Sequence, residues 1–318
     1  MEKGASGRDA GLTVMVTGAT GMQGGAVARS LRDAGIRVVA LVRDPASAGA
    51  RSLLAGGIAL AVGDLDEPAS LEEACAGCTS VFSVQPAPFA DPDSERRQAG
   101  ALIDAARAAG VVHLVHTSVS GTGWREDHPA VDAGEMRNYW DSKENVEALV
   151  RAADVDAYTI FKPAFFMENF LPPKAGYMFP HLADGELVVA TDENTEVALV
   201  AADDLGRAVT AAVTDRRRFG GAEIELGGDT PTFPEMAATI AQATGAPVAP
   251  RRLPRPEVDA LMGRRSWAAT QVWLDSVGYP ARPHHAAAYG LELTDFRRWA
   301  VQHRDELRAA RNVDSTRV

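Results

Sequence analysis

A chain of 318 residues with 46% hydrophobic residues is long enough to bury a large core, and it predicts one large domain or two closely packed ones. The net charge of −11 argues against a nucleic-acid surface, which needs a clustered basic face, and against attraction to anionic membranes. The sequence has neither a membrane-spanning apolar run nor a signal-peptide segment, so we expect a soluble, cytoplasmic protein with a flexible tail over residues 1–10.

The first structured stretch is an apolar run that enters a glycine-rich turn and continues as a helix through Leu31. Gly18 lets the chain leave the strand, Gly21 lets the backbone approach a pyrophosphate, and Gly24 lets the helix pack closely on the strand. The helix N-terminus then offers free N–H groups to an anion. This strand–turn–helix context favours dinucleotide binding over a tight turn with only a structural role.

A second buried strand, Arg37–Val42, ends at Arg43 and Asp44. In dinucleotide-binding folds an arginine at this position accommodates the 2′-phosphate of NADP, whereas a carboxylate accepts from the 2′-hydroxyl of NAD. The order of the two residues favours NADP. Alternatively, Arg43 is an exposed charge and Asp44 forms a turn or caps a helix.

Further strands are predicted at residues 58–62, 80–84 and 111–115, separated by helices. This alternation predicts a parallel sheet covered on both faces, with ligands beyond the carboxyl ends of its strands. The Asp64-Leu65 pair can lie at an adenine edge or begin a helix. The strand-end residues of interest are Thr17, Arg43, Asp64, Val84, Gln85, Thr117 and Ser118.

The sixth unit carries the candidate chemistry. Tyr139 and Lys143 are four residues apart, so they share one face of a predicted helix. A neighbouring ammonium lowers the pKa of a phenol, and such a phenol can protonate a carbonyl oxygen as hydride arrives at carbon. The hydroxyl of Ser118 can hold that carbonyl in place. Alternatively, the pair lies on a solvated amphipathic helix.

Four stretches together resemble the NmrA-like family, which comprises atypical short-chain dehydrogenase/reductase proteins. They are the turn at residues 17–25, the strand end at 41–45, Asp141-Ser142-Lys143, and the segment at 162–170. The similarity runs from about Leu12 to at least Ala212. The chain departs from the family in two places: Tyr139 stands where many members have histidine, and Lys162 replaces a usual arginine.

The resemblance implies a Rossmann-type, doubly wound parallel sheet that binds NADP(H), and a smaller α/β C-terminal substrate domain. It implies nucleotide binding at residues 11–165 together with 197–215. It also implies that the smaller domain comprises residues 166–196 and 222–302. The predicted cofactor site comprises Gly18, Thr20, Gly21, Met22, Gln23, Gly24, Arg43, Asp64, Leu65, Val84, Gln85, Thr117, Lys143, Pro163, Phe165 and Phe166.

The segment at residues 163–170 is predicted to cross the cleft and to form an apolar substrate pocket with nearby aromatic residues. For Phe165 and Phe170 an ordinary core position is an equal alternative. The predicted pocket comprises Trp124, Trp140, Phe166, Asn169, Phe170 and Tyr177.

Beyond the cleft, strands are predicted at residues 186–189, 195–200 and 222–226, and helices at 203–213, 232–244, 253–262, 267–276 and 291–300. The charged tail at residues 303–318 is expected to fray. Cys75 and Cys78 form a C-x-x-C without the second pair that a zinc site needs, which favours small packed residues.

Two functions are consistent with these observations. The favoured one is an NADPH-dependent reductase acting on a small apolar or aromatic carbonyl, quinone or conjugated acceptor, with Tyr139, Lys143 and Ser118 in catalysis and without a metal. The alternative is a non-catalytic NADP(H) sensor or regulator that acts through a protein partner. The phenol of Tyr139 separates them, because only the reductase requires it.

Overall fold

The computed structural model describes residues 11–88, 91–263 and 267–311. The tail predicted over residues 1–10 lies outside these ranges. Within them, no helix has both the length and the apolar composition that a membrane crossing requires.

The first half of the chain alternates apolar strands with helices that bury one face, as the hydrophobic pattern predicts. The strands are β1 (Thr13–Val16), β2 (Arg37–Val42), β3 (Ala59–Val62), β4 (Ser80–Ser83), β5 (His113–Thr117) and β6 (Ala157–Pro163). The helices are α1 (Met22–Asp33), α2 (Ala48–Ala55), α3 (Pro68–Cys75), α4 (Ser94–Ala108), α5 (Trp124–Asp127) and α6 (Arg137–Arg151).

The second half adds shorter strands and most of the helices. Its strands are β7 (Phe165–Phe166), β8 (Glu186–Val189), β9 (Leu199–Val200), β10 (Ala222–Leu226) and β11 (Ala249–Arg252). Its helices are α7 (Ala175–Met178), α8 (Ala202–Thr214), α9 (Arg216–Phe219), α10 (Phe233–Thr244), α11 (Arg255–Met262), α12 (Ala268–Ser276), α13 (Pro283–Ala287), α14 (Phe296–Gln302) and α15 (Arg304–Arg311). Short 3-10 helices lie at Gly134–Met136, Met167–Phe170 and Pro180–Asp184.

Seven strands form one parallel sheet in the order β10-β6-β5-β4-β1-β2-β3. The chain moves outward in both directions from β1, so the order reverses between β1 and β4. A crevice opens at the carboxyl ends of strands at such a reversal. The predicted doubly wound Rossmann-type fold is confirmed.

Both faces of the sheet are covered by helices. Val14 and Val16 face a core shared with α1 and α8, whereas Met15 faces a core shared with α3, α4 and α6. Gly206 on α8 allows a close approach, because a Cβ there would lie 2.7 Å from the Ala26 carbonyl oxygen on α1. The helix at residues 202–214 therefore packs on the Rossmann-type half.

The smaller lobe includes β8, β11, α10, α14 and α15. A third core lies between this lobe and the part of the first half that carries α5 and α6. The helix predicted from Thr232 begins as expected, because Thr232 and Glu235 form a reciprocal capping box at the start of α10. The lobe is joined to the main sheet through the segment that follows β6.

Strand β10 corrects the predicted domain division. The sequence placed residue 222 onward in the smaller domain, but β10 pairs in parallel with β6 at the edge of the main sheet. Ala222, Ile224 and Leu226 face the core, while Glu223 faces basic side chains on the other side. A strand's partner is set by a long-range crossover that adjacent sequence does not reveal.

Two other elements differ by several residues from their predicted bounds. The strand expected over residues 195–200 is regular only at Leu199–Val200. The helix expected from residue 291 begins at Phe296, because the Thr294 N–H donates to Asp204 and Asp295 caps the helix.

The predicted frayed tail is wrong over the part that the structure describes. Residues 304–311 form α15, which buries Leu307 and Ala310 in the third core. Its pattern places these apolar residues on one face of a strongly charged helix. Residues 312–318 lie outside the described ranges.

Candidate functional site

The glycine turn joins β1 to α1 in the geometry that its spacing predicts. Gly18 has φ +60°, and a Cβ there would lie 2.8 Å from the Val84 side chain. A Cβ on Gly24 would lie 2.4 Å from the Gly18 carbonyl oxygen. The Gly21 N–H donates to the same oxygen at 2.9 Å. Larger side chains at residues 18 or 24 would therefore open the turn.

A cavity of about 610 Å³ lies over this turn, at the carboxyl ends of β1 to β4. Its position is the crevice expected of the sheet order. The wall comprises Gly18, Thr20, Gly21, Met22, Gln23, Gly24, Leu41, Val42, Arg43, Asp44, Ser47, Gly63, Asp64, Leu65, Asp66, Val84, Gln85, Pro86, Gln98 and Lys174. The structure thus brings together most of the residues predicted to hold a nucleotide.

The two charged residues that follow β2, Arg43 and Asp44, differ in their contacts. The Asp44 carboxylate accepts from the Ala46 N–H at 2.8 Å, which is the turn-forming alternative considered above. Arg43 is exposed on the cavity wall, and among the described residues no hydrogen bond or ion pair reaches it. The arginine is therefore the residue available to an anion.

Five predicted cofactor residues are absent from the described part of the wall. Thr117 donates to Gln23 at 2.9 Å and so supports a wall residue. Lys143 is paired with Glu95, and Pro163 ends the buried strand β6. Phe165 and Phe166 are buried in two separate cores. Phe165 and Phe166 enter these cores because they follow β6, where the chain turns into the smaller lobe.

Tyr139 and Lys143 share one face of α6, as their spacing predicts. The Lys143 Nζ lies 5.5 Å from the centroid of the Tyr139 ring. The same Nζ donates to Glu95 Oε1 at 2.6 Å, and Ser142 donates to Glu95 Oε2 at 2.7 Å. Glu95 is completely buried and Lys143 nearly so. The ammonium is held by a buried acid from α4.

The expected effect of Lys143 on the phenol is not found. Burial, followed by the Glu95 carboxylate, raises the pKa of Tyr139 above its ordinary value. Glu95 offsets the charge of the ammonium, so the phenol does not experience an isolated cation. Tyr139 is therefore held in its protonated form.

The sequence analysis did not identify Glu95, although the helical pattern of α4 indicates that this residue is buried. Glu95 lies on the stripe of α4 that buries Ala99, Leu102 and Ala106, at spacings of four, seven and eleven residues. A carboxylate on a buried stripe requires a partner. Lys174, a wall residue that the sequence analysis also missed, follows the segment predicted to cross the cleft.

A second phenol lies close to the first. Burial, followed by the neighbouring Tyr139 phenol, raises the pKa of Tyr279. The Tyr279 ring packs edge-on against Trp273 at 5.2 Å, and Tyr139 packs edge-on against Trp140 at 5.4 Å. The two tyrosines therefore come from different lobes and flank one aromatic cluster.

Ser118 is engaged elsewhere. Its hydroxyl donates to Glu147 Oε1 at 2.6 Å, and Lys162 Nζ lies 3.1 Å from Glu147 and 2.9 Å from Glu223. Burial disfavours the charge on Lys162, yet the two carboxylates keep its pKa above the ordinary value. In this arrangement Ser118 belongs to a buried ionic cluster between α6, β6 and β10.

The residues predicted to line a substrate pocket separate into two groups. Trp124, Trp140 and Phe170 are buried in the third core, so the core alternative holds for Phe170. Phe165 stacks on Trp267 in the same core. Asn169 accepts from Lys174 at 3.1 Å, and Tyr177 is half-buried. Trp124, Trp140 and Phe170 therefore serve as core residues in this structure.

Cys75 and Cys78 are buried free thiols. Burial raises the pKa of Cys75 to about 12 and also raises that of Cys78. Such thiols are poor nucleophiles and poor metal ligands, which agrees with their interpretation as packed small residues.

The chain matches the NmrA-like family over residues 11–280. It is 34% identical to an NAD(P)H azoreductase of Xenophilus azovorans over 235 residues, 74% of this chain and 75% of the relative. It is 30% identical to a (4-alkanoyl-5-oxo-2,5-dihydrofuran-3-yl)methyl phosphate reductase of Streptomyces griseus over 302 residues, 91% of this chain and 97% of the relative.

Solved structures share the fold at lower identity. The triphenylmethane reductase of Citrobacter sp., complexed with NADP(H), superposes with a TM-score of 0.74 at 21% identity, covering 92% of this chain and 100% of the other. NmrA, a negative transcriptional regulator in complex with NADP, gives a TM-score of 0.76 at 19% identity, covering 96% and 99%. One fold therefore serves a reductase and a regulator.

Proposed function

Because this chain belongs to the NmrA-like family, we propose that it is an NADPH-dependent reductase that transfers hydride to an apolar carbonyl, quinone or conjugated acceptor. Two relatives with at least 30% identity are named as reductases, which supports the general assignment to NAD(P)H-dependent oxidoreductases. The observation that carries the proposal is the cavity over the glycine turn, and the protonated phenol of Tyr139 on α6 supports it.

The cavity wall fits a phosphorylated dinucleotide. Arg43 meets no carboxylate in the described part of the chain, and Asp44 is held in its own turn, so the end of β2 favours a 2′-phosphate over a 2′-hydroxyl. The buried Oε1 of Gln85 has no hydrogen-bond partner among the described residues, while its Nε2 donates to Ser83. A nucleotide amide or hydroxyl would satisfy that oxygen.

The proton comes from Tyr139 in this proposal. Bound NADPH supplies the hydride. The raised pKa keeps the Tyr139 hydroxyl protonated, so it can donate to an acceptor oxygen or nitrogen as negative charge develops there. Lys143 Nζ, 5.5 Å from the ring centroid, positions the Tyr139 ring through a cation–π contact. Glu95 positions Lys143 by a hydrogen bond.

The cavity and the phenol are connected through α4. Gln98 lies on the wall, and Glu95 precedes it by three residues, so the two are neighbours on the helix surface. The aromatic surroundings of Tyr139 and Tyr279 favour an apolar acceptor with a single polar atom to protonate.

The test is NADPH oxidation by the purified protein with a panel of quinones, azo compounds, triphenylmethane dyes, aldehydes and aromatic ketones. We expect turnover with at least one apolar class and slower turnover with NADH. Tight NADPH binding without turnover across the panel would instead favour a regulator that acts through a protein partner.

Arg43 is expected to set the choice of nucleotide. Replacing it in Arg43→Ser removes a charge-assisted contact to the 2′-phosphate, so NADPH affinity should fall about tenfold while NADH affinity stays nearly constant. Fluorescence titration with both nucleotides measures the two dissociation constants. Equal changes for NADH and NADPH would mean that Arg43 does not contact the 2′-phosphate.

A further inference from the structure

Lys174 reaches the nucleotide cavity from the smaller lobe. It lies between the 3-10 helix Met167–Phe170 and α7, yet it forms part of the wall that otherwise consists of residues from the Rossmann half. Its Nζ donates to Asn169 Oδ1 at 3.1 Å and lies 3.6 Å from the sulfur of Met22, the first residue of α1. The ammonium therefore lies at the N-terminus of α1.

The ammonium has no anionic partner there. Among the described residues, no carboxylate lies within 4.0 Å of Lys174 Nζ. Burial lowers the pKa of Lys174, and Glu168 opposes that effect only from a distance. A half-buried lysine without an ion pair carries an uncompensated desolvation cost.

The neighbouring helix end has the same sign of charge. The N-cap residue of α1 is Gly21, which provides no side-chain cap, and the first turn contains no acidic residue. Its free N–H groups and dipole make this helix end positive. An ammonium beside a positive helix end is unfavourable unless an anion lies between them. This arrangement is explained by an anionic ligand in the cavity.

We propose that Lys174 binds the pyrophosphate of the dinucleotide and thereby attaches the smaller lobe to the glycine turn. The inference rests on the proposed function, since it assumes a dinucleotide in this cavity. The pyrophosphate is the expected partner because Nζ lies at Met22, next to the turn, whereas Arg43 at the end of β2 serves the ribose phosphate. Asn169 positions the lysine by accepting one of its hydrogen bonds.

The experiment compares wild type with Lys174→Met, which keeps the length of the side chain and removes its charge. Titrations use NADPH, NADH and adenosine 2′-monophosphate, which lacks a pyrophosphate. Lys174→Met should weaken the binding of NADPH and of NADH by a similar factor of about tenfold, and it should leave the affinity for adenosine 2′-monophosphate unchanged. Arg43→Ser should give the complementary pattern, weakening NADPH and adenosine 2′-monophosphate but not NADH.

Thermal melting with and without NADPH distinguishes a binding role of Lys174 from a structural one. Without nucleotide, Lys174→Met should melt at the same temperature as wild type or higher, because the lysine has no ion pair to lose. With saturating NADPH, its thermal shift should be smaller than that of wild type. Arg107→Met, on the exposed face of α4, removes the same charge far from the cavity and should change neither quantity.

Three results would overturn the assignment. Unchanged dissociation constants for both dinucleotides would remove the role of Lys174 and leave the reductase proposal intact. A loss of affinity confined to NADPH and adenosine 2′-monophosphate would mean that Lys174 binds the 2′-phosphate instead of the pyrophosphate. Wild-type protein that binds neither dinucleotide would overturn both the lysine's role and the reductase.

Discussion

Removing the hydroxyl of Tyr139 in Tyr139→Phe is expected to lower kcat by about 100- to 10,000-fold, the range typical for the loss of a general acid. NADPH affinity should remain unchanged, because Tyr139 lies outside the nucleotide cavity wall. Stopped-flow measurement of NADPH oxidation, beside a binding titration, separates the two effects.

The matched control is Tyr279→Phe. It removes the hydroxyl of a second tyrosine in the same aromatic cluster and leaves Tyr139, whose ring contacts Lys143, unchanged. We expect a smaller effect, mainly on KM. Equal losses in both variants would indicate that the cluster's packing, rather than the Tyr139 proton, is required.

The pH dependence follows from the same geometry. Because burial and Glu95 raise the pKa of Tyr139, the proton-donating form persists above the range where an ordinary tyrosine ionises, about pH 10. Turnover should therefore show no alkaline decline from this group between neutral pH and about pH 9. A decline with an apparent pKa near 8 that disappears in Tyr139→Phe would contradict the protonated assignment.

The second large effect is expected on stability. Replacing Glu95 in Glu95→Ala leaves the Lys143 ammonium buried without its carboxylate and removes the acceptor of Ser142. Breaking a buried pair on one side costs about 3–5 kcal/mol of unfolding free energy. Urea denaturation of wild type and variant measures this difference.

Two controls accompany this variant: one changes an exposed acid on the same helix, α4, and the other replaces both members of the Glu95–Lys143 pair. Asp104→Ala removes an exposed acid of α4 that pairs with Arg107, and it should cost less than about 1 kcal/mol. The double variant Glu95→Leu with Lys143→Met replaces both charges by apolar groups and should recover most of the stability, although not the activity. A Glu95→Ala loss no larger than that of Asp104→Ala would mean that the pair is not buried in solution.

The Rossmann-type half was predictable because its signals are local. The glycine spacing specifies the turn, and the apolar run at Arg37–Val42 gives β2 with the predicted bounds. Because ligands of a parallel sheet bind at the carboxyl ends of its strands, the positions of Arg43 and Gln85 alone identify them as wall residues.

The remaining features depend on contacts between distant parts of the chain. The partner of β10 and the packing of α15 are set by long-range crossovers. The spacing of Tyr139 and Lys143 predicts their proximity, but the acid that offsets the ammonium comes from another helix. Lys174 joins the site through the fold of the smaller lobe, which no local pattern specifies.

The central claim is hydride transfer from bound NADPH with a proton from Tyr139. The most direct measurement is a single turnover with NADPH deuterated at the transferable position of the nicotinamide, using the best acceptor from the panel. We predict one deuterium in the reduced product by mass spectrometry, with the rate collapsing in Tyr139→Phe. A wild type that binds the labelled nucleotide but transfers no deuterium, and that Tyr139→Phe matches in every respect, would contradict the account.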